Sequence, residues 1–204
     1  MRTPAGEEWN DGPVVPAREA ASVILLRDGA QGPEVLLVQR NPEARFMGGA
    51  WVFPGGSVGV EDVDHAQTAL RELREEAGLE LDGSALIPFS RWITPAEVKV
   101  RFDTHFFVAE APPDDDPTPD GAECVAARWI RPVDALSAGA SGELMLVFPT
   151  IKHLEQLEQF PSTSAAIAAA RGREVVPVQP RIVVRDGTPH VLLPGDAGFA
   201  GEPD

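Results

Sequence analysis

Gly55-Gly56-Ser57-Val58-Gly59-Val60-Glu61-Asp62-Val63-Asp64-His65-Ala66-Gln67-Thr68-Ala69-Leu70-Arg71-Glu72-Leu73-Arg74-Glu75-Glu76-Ala77-Gly78-Leu79 joins a glycine pair, an acidic loop and a strongly patterned run. At about 100° per residue, a helix from roughly Asp64 to Ala77 projects Glu72, Glu75 and Glu76 from one face. Ala66, Ala69, Leu70, Leu73 and Ala77 fall on another face, at the spacing of a core stripe. Gly78 suits a C-cap. Three carboxylates stacked on one edge repel each other unless something positive lies between them. Hard divalent cations with oxygen ligands are the usual answer. Arg71, one turn before Glu75, is placed to hold one of the carboxylates. A solvated acidic face laced with i,i+4 pairs is the commoner use of such a helix. That use explains neither the glycine pair nor the confinement of three acids to one edge.

The stretch resembles the Nudix box, which reads Gly, five residues, Glu, seven residues, then Arg-Glu-aliphatic-x-Glu-Glu-x-Gly-aliphatic. The second half matches at every specified position from Arg71 to Leu79. The first half is one residue too long: counting back from Arg71 reaches Val63, and counting forward from Gly56 reaches Asp62. Glu61, Asp62 and Asp64 are all close enough to stand for the first Glu of the box. The resemblance implies an α/β fold, a Nudix-type α/β/α sandwich with a mixed central sheet. It also implies a metal-dependent pyrophosphohydrolase in which Glu72, Glu75 and Glu76 hold Mg2+ or Mn2+ and Arg71 orients Glu75. The general base in such enzymes is a box glutamate or an acid from a later loop. Glu123 is the best later candidate here, although a plain exposed loop acid beside Asp120 reads equally well.

A second motif lies upstream, in Leu36-Leu37-Val38-Gln39-Arg40-Asn41-Pro42-Glu43-Ala44-Arg45-Phe46-Met47-Gly48-Gly49-Ala50-Trp51-Val52-Phe53-Pro54-Gly55-Gly56. It is similar to the signature of the coenzyme A diphosphatase branch of the family. Arg40, Arg45, Gly49 and Phe53 to Gly56 fall in register, while Val38 and Asn41 depart from it. That branch tolerates one extra residue inside the box, with an acid where Asp62 stands. Trp92-Ile93-Thr94-Pro95 and Arg101-Phe102-Asp103-Thr104-His105-Phe106-Phe107 are similar to peroxisomal coenzyme A diphosphatases, without their long insertion. Physically, guanidinium forks grip phosphate bidentately, so Arg40 and Arg45 are expected to contact substrate phosphates. Gly55 and Gly56 would let the backbone approach ligand or metal. The implied products from coenzyme A are 4′-phosphopantetheine and adenosine 3′,5′-bisphosphate. ADP-ribose or another nucleoside diphosphate derivative is the alternative substrate, and a non-catalytic nucleotide-binding module the alternative class.

Composition sets the frame for these motifs. A formal net charge of −15 over 204 residues argues against nucleic acid or an anionic membrane as partner. It also means that an anionic substrate must be drawn in by metal ions and a few local arginines. The single cysteine, Cys124, lies in an apolar run and reads as a buried small hydrophobe in a reducing compartment, so a cytoplasmic location is expected. No stretch reaches the ~18 apolar residues of a membrane span. The four histidines, His65, His105, His153 and His190, show no metal-ligand spacing, and His105 reads as a core histidine.

Residues 1–17 are expected to form a flexible arm, 18–137 the hydrolase core, and 138–204 C-terminal helices and a hairpin packed on it. Strands are expected at Ala21 to Leu26, Glu34 to Gln39, Trp51 to Phe53, Ala85 to Ile93, Phe102 to Ala109 and Val125 to Ile130. A helical turn is expected at Pro132 to Leu136, a helix broken near Pro149 over Gly142 to Phe160, and an alanine-rich helix at Ser162 to Arg171. Pro112 to Asp120 reads as an exposed acidic linker. Asp186-Gly187 predicts a tight turn between Ile182–Arg185 and His190–Leu193. The expected partner is a small-molecule nucleotide, and a homodimer is left open.

Overall fold

The computed structural model describes residues 8–113 and 116–199. Strand β1 (Arg18–Gly29) is buried from Ala20 to Leu26, the mark of a strand covered on both faces. β2 (Gly32–Arg40), β3 (Trp51–Val52) and β4 (Gly55–Ser57) follow, then helix α1 (His65–Ala77). A 3-10 turn (Gly83–Ala85) leads to β5 (Ile87–Ile93), β6 (Phe102–Glu110) and β7 (Cys124–Ile130). Then come α2 (Pro132–Ser141), α3 (Phe148–Leu157), α4 (Thr163–Ala170), β8 (Pro177–Val178), β9 (Arg181–Arg185) and β10 (Thr188–Leu192).

Eight strands form one mixed sheet in the order β3-β2-β1-β6-β5-β8, with β4 also on β1 and β7 also on β2. β1 runs parallel to β6 and antiparallel to β2 and β4. Alternation along the central strands divides the core into two layers. Val23, Leu25, Leu36, Val38 and Phe107 meet Ala69, Leu73 and Ala77 of α1 on one face. Ile24, Leu26, Leu37, Phe106 and Val108 meet Ala135 and Ala138 of α2, Leu154 and Leu157 of α3, and Ala166 and Ala170 of α4 on the other. The expected α/β/α sandwich with a mixed central sheet is the observed architecture.

Several local expectations need correction. Leu70 is only half-buried, so the buried stripe of α1 is narrower than its apolar residues suggested. The helix expected from Gly142 begins at Phe148, with Pro149 in its first turn. Proline there removes a donor that has no intrahelical partner anyway, so it starts the helix rather than breaking it. α2 extends to Ser141, beyond the single turn expected. β4 and β8 are two short strands that no periodicity could mark, since each exists only through its neighbour. The C-terminal hairpin forms on Asp186 and Gly187, both at positive φ, as a two-residue primed turn requires.

Part of the expected arm is held in place. Asn10 N–H donates to Glu97 O, Lys99 N–H donates to Glu8 O, and Trp9 bridges Val98. Residues 1–7 lie outside the described residues, as do 114 and 115 of the acidic loop. The described rest of that loop alternates between exposed and half-buried residues, as expected, and is anchored where Thr118 N–H donates to Ala77 O at the end of α1.

Candidate functional site

α1 is bounded as its ends demand. Asp64 caps the N-terminus by accepting from Gln67 N–H at 2.8 Å, and Gly78 ends the helix in the left-handed region at φ 68°. Its Glu72 and Glu76 are buried against the β4 segment, where Gly56 pairs with Ala21 and Gly55 with Ser22 of β1. Gly55 N–H donates to Glu76 Oε2 at 2.9 Å. A Cβ on Gly56 would fall on the Glu72 carboxylate. Gly56 is therefore needed because the Glu72 carboxylate lies directly against its backbone, and Gly55 because a Cβ there would fall on Ala21 O and Ser22 of β1.

Arg71 organises the acids. Its Nε and Nη2 donate to Asp62 Oδ1 and Oδ2 at 3.1 and 2.9 Å, and its Nη1 donates to Glu72 Oε1 and Glu75 Oε2, each at 2.8 Å. Asp62 also accepts from Gly59 N–H at 2.7 Å and from the Thr68 hydroxyl at 2.9 Å. Among the three acids left open for the first half of the box, Asp62 is thus the one that docks on the helix. The Arg71 guanidinium holds its carboxyl well below the usual range. Glu61 has no part in this network, and Asp64 is the helix cap.

A cavity of about 370 Å³ opens beside these groups. Its walls include Glu72, Glu76, Gly55, Gly56, Arg40 and Glu123, with Phe46, Phe102 and Phe106 on an apolar side. That volume is within the ordinary range for a small-molecule site. Burial pushes Glu76 up to about 7, and the neighbouring Glu72 carboxylate adds to the effect. Gly55 N–H, Cys124 and Arg40 act in the opposite direction. Glu72 is also raised, by burial first, against the pull of Arg71. Two buried carboxylates with raised affinity for protons are short of positive charge. The all-oxygen donor set suits a hard divalent cation, and Mg2+ is commonly held by one or two carboxylates with waters and substrate phosphates completing its shell.

The expected site residues do not all converge. Glu72, Glu76, Glu123, Arg40, Gly55 and Gly56 share the cavity wall. Glu75 is exposed and tied back by Arg71, outside that wall. Arg45 is exposed on the turn after β2 and does not line the cavity, whereas Arg40 Nε donates to Phe46 O at 3.3 Å within it. Cys124 is fully buried beside Glu76, and burial pushes its thiol up, as expected of an inert cysteine.

The histidines give a different picture from their spacing. His153 is buried among Phe53, Phe89, Trp92 and Phe106, bonded to the Ser90 hydroxyl at 2.6 Å. His105 is not a core residue; its ring stacks on His65 with centroids 3.8 Å apart. Phe46 was open to stacking on a base from its place among the glycines, but nothing in the sequence marked Phe102, which forms with it a tilted aromatic pair 5.7 Å apart on the cavity wall. Their separation of 56 positions in the chain left no local signal.

A family model for the NUDIX domain matches residues 16–146. The chain is 31% identical to a NUDIX hydrolase from Alicyclobacillus acidocaldarius of known crystal structure, with a TM-score of 0.68. That match covers 76% of this chain and 96% of the other. It is 26% identical to nudix hydrolase 7 of Caenorhabditis elegans, over 91% of this chain and 75% of that protein. A human protein named acyl-coenzyme A diphosphatase NUDT19 is 34% identical over 59% of this chain, which spans only 33% of that protein's length.

Proposed function

Because the chain belongs to the Nudix family of pyrophosphohydrolases, we propose that it cleaves the pyrophosphate of coenzyme A or an acyl-coenzyme A. The products are 4′-phosphopantetheine and adenosine 3′,5′-bisphosphate. The observation that carries this reading is the position of Arg40, whose side chain shares one cavity wall with Glu72, Glu76 and Glu123. A guanidinium lining the same cavity as the carboxylates supports phosphate binding there. Mg2+ or Mn2+ bound at the box acids supplies charge neutralisation for the phosphate oxygens and a water of lowered pKa.

The chain's own groups have separate tasks. Glu72 and Glu76 present buried oxygens to the ions, and Glu75 completes the set from the exposed edge. Arg71 keeps Glu72 and Glu75 in place and does not touch substrate. Gly55 N–H aims Glu76. Glu123, on the loop before β7 and lining the same cavity, takes a proton from the attacking water. Phe46 and Phe102 offer ring faces to the adenine. A cytoplasmic location and a homodimer belong to the same proposal.

A second reading, hydrolysis of ADP-ribose or a related nucleoside diphosphate derivative, is favoured by one observation. Arg45, half of the arginine pair that singles out the coenzyme A branch, stands outside the cavity. Incubation with coenzyme A, acyl derivatives, ADP-ribose, dinucleotides and oxidised dNTPs, each with Mg2+ or Mn2+, separates the readings when products are identified by mass. Release of 4′-phosphopantetheine is expected. Turnover of ADP-ribose with every coenzyme A derivative left intact would overturn the substrate and keep the reaction class.

A further inference from the structure

We propose that Glu19, His65 and His105 form a second cation site, distinct from the box and suited to a borderline transition metal such as Zn2+. Their ligand atoms all lie within 4.8 Å of one another. The three come from separate elements: the start of β1, the first residue of α1, and β6. None of them lines the cavity that holds the box acids. Strand alternation explains the separation, because Thr104 and Phe106 face the cavity while His105 between them faces the α1 side of the sheet. Ala21 pairs with His105 in the parallel register, and Glu19 lies two residues earlier on the same face of β1.

The donor set decides the cation. Two imidazoles and one carboxylate, leaving a fourth position for water, are a common ligand set for Zn2+ and related ions. Mg2+ prefers oxygen alone. Burial first, and then His65 and Arg91, hold His105 below its ordinary pKa, with Asp103 and Glu19 acting in the opposite direction. Asp103, two residues before His105, is committed to Arg91 through bonds of 2.8 and 2.6 Å. Glu19 is exposed, so solvent reaches the site.

His65 Nε2 lies 2.8 Å from Glu19 Oε2, and the two imidazoles stack with planes 20° apart. Lone pairs lie in the ring planes, so a shared ion requires one imidazole to turn out of the stack. Binding therefore exchanges the stack for coordination, which gives it a spectroscopic signature. It also clamps β1 to the first turn of α1. The loop between β4 and α1, already tied by Val58 N–H to Glu19 O at 3.0 Å, carries the Asp62 that positions Arg71.

The test uses full-length protein carrying Glu72→Gln and Glu76→Gln, so that the box no longer binds cations. Titration with Zn2+ and Co2+ should show one saturable equivalent that excess Mg2+ does not displace. Co2+ should give the intense visible bands of nitrogen-ligated four-coordinate metal, and Zn2+ should shift the His65 and His105 ring resonances together. His105→Ala and, separately, His65→Gln should weaken binding by roughly tenfold or more in the same background. Both should leave the circular dichroism spectrum unchanged. Displacement by Mg2+, or an equivalent that persists in both histidine variants, would overturn the site. So would the absence of any saturable Zn2+ binding.

Discussion

The guanidinium of Arg71 grips both carboxylate oxygens of Asp62, nine residues earlier, while a second edge of the same group holds Glu72 and Glu75. One arginine thus closes the long loop of the box and sets the positions of two acids on the helix. Asp62 is 5% exposed at its side chain and Arg71 27%, so this contact is more than a surface ion pair.

Asp62→Ala should lower stability by about 1–3 kcal/mol, since it removes two charge-assisted bonds and strands the Gly59 N–H, while the Thr68 hydroxyl keeps only the Asp64 carbonyl. Its carboxyl titrates below the ordinary value in the folded chain. The contribution is therefore present above the unfolded pKa and is lost as pH falls through the folded one. Urea denaturation across the acid range checks both points, and Asp62→Asn should flatten that acid dependence. Equal acid sensitivity in the variant would refute the assignment.

Gly56→Ala should damage the site more than the fold. The new Cβ meets the Glu72 carboxylate, a side chain that can turn aside, so a folded protein is expected. Glu72 would then leave its position, and calorimetric affinity for Mg2+ should fall by about tenfold or more, the loss that follows when a ligand's supporting contacts are removed. Unchanged Mg2+ affinity would place the cation elsewhere.

Glu76 links stability, metal and pH. Its folded pKa of about 7 lies above its ordinary 4.5, so the folded metal-free chain binds more protons between these values. Stability without divalent cations should therefore fall as pH rises across that window, then level off. Cation affinity should rise over the same window, because the ligand must first lose its proton. Melting temperatures measured with EDTA and with Mg2+ from pH 4.5 to 8 test this. Glu76→Gln should flatten both trends.

Arg40 and Arg45 should separate in kinetics. Arg40→Ala should cost about 10- to 100-fold in kcat/KM, the range of a lost charged hydrogen bond to phosphate. Arg45→Ala should change kcat/KM by less than about threefold at moderate salt, as expected for an exposed charge. An equal loss in both variants would mean that the turn after β2 moves over bound substrate.

Much of this was legible in the chain because it depends on local geometry. Helix periodicity placed Glu72 and Glu76 together, and Gly78 and Asp64 bound the helix by their own conformational preferences. The apolar runs of β1 and β2 announced central strands, and Asp186-Gly187 announced a hairpin. Periodicity failed where the partner was distant. Glu75 shares the acidic edge with Glu72 and Glu76, yet it is exposed because no β4 backbone lies over it.

The sequence by itself determined the family, the box helix and its supply of oxygen ligands, since each follows from spacings within about one or two turns. Only the tertiary structure chose Asp62 over Glu61 and Asp64 as the partner of Arg71. It alone admitted Arg40 to the cavity and left Arg45 outside, and it brought Glu19, His65 and His105 within reach of one another. The last of these outcomes depends on the parallel pairing of β1 with β6 and on how α1 lies across them. Contacts between segments tens of residues apart are set by sheet register and packing, which no local pattern encodes.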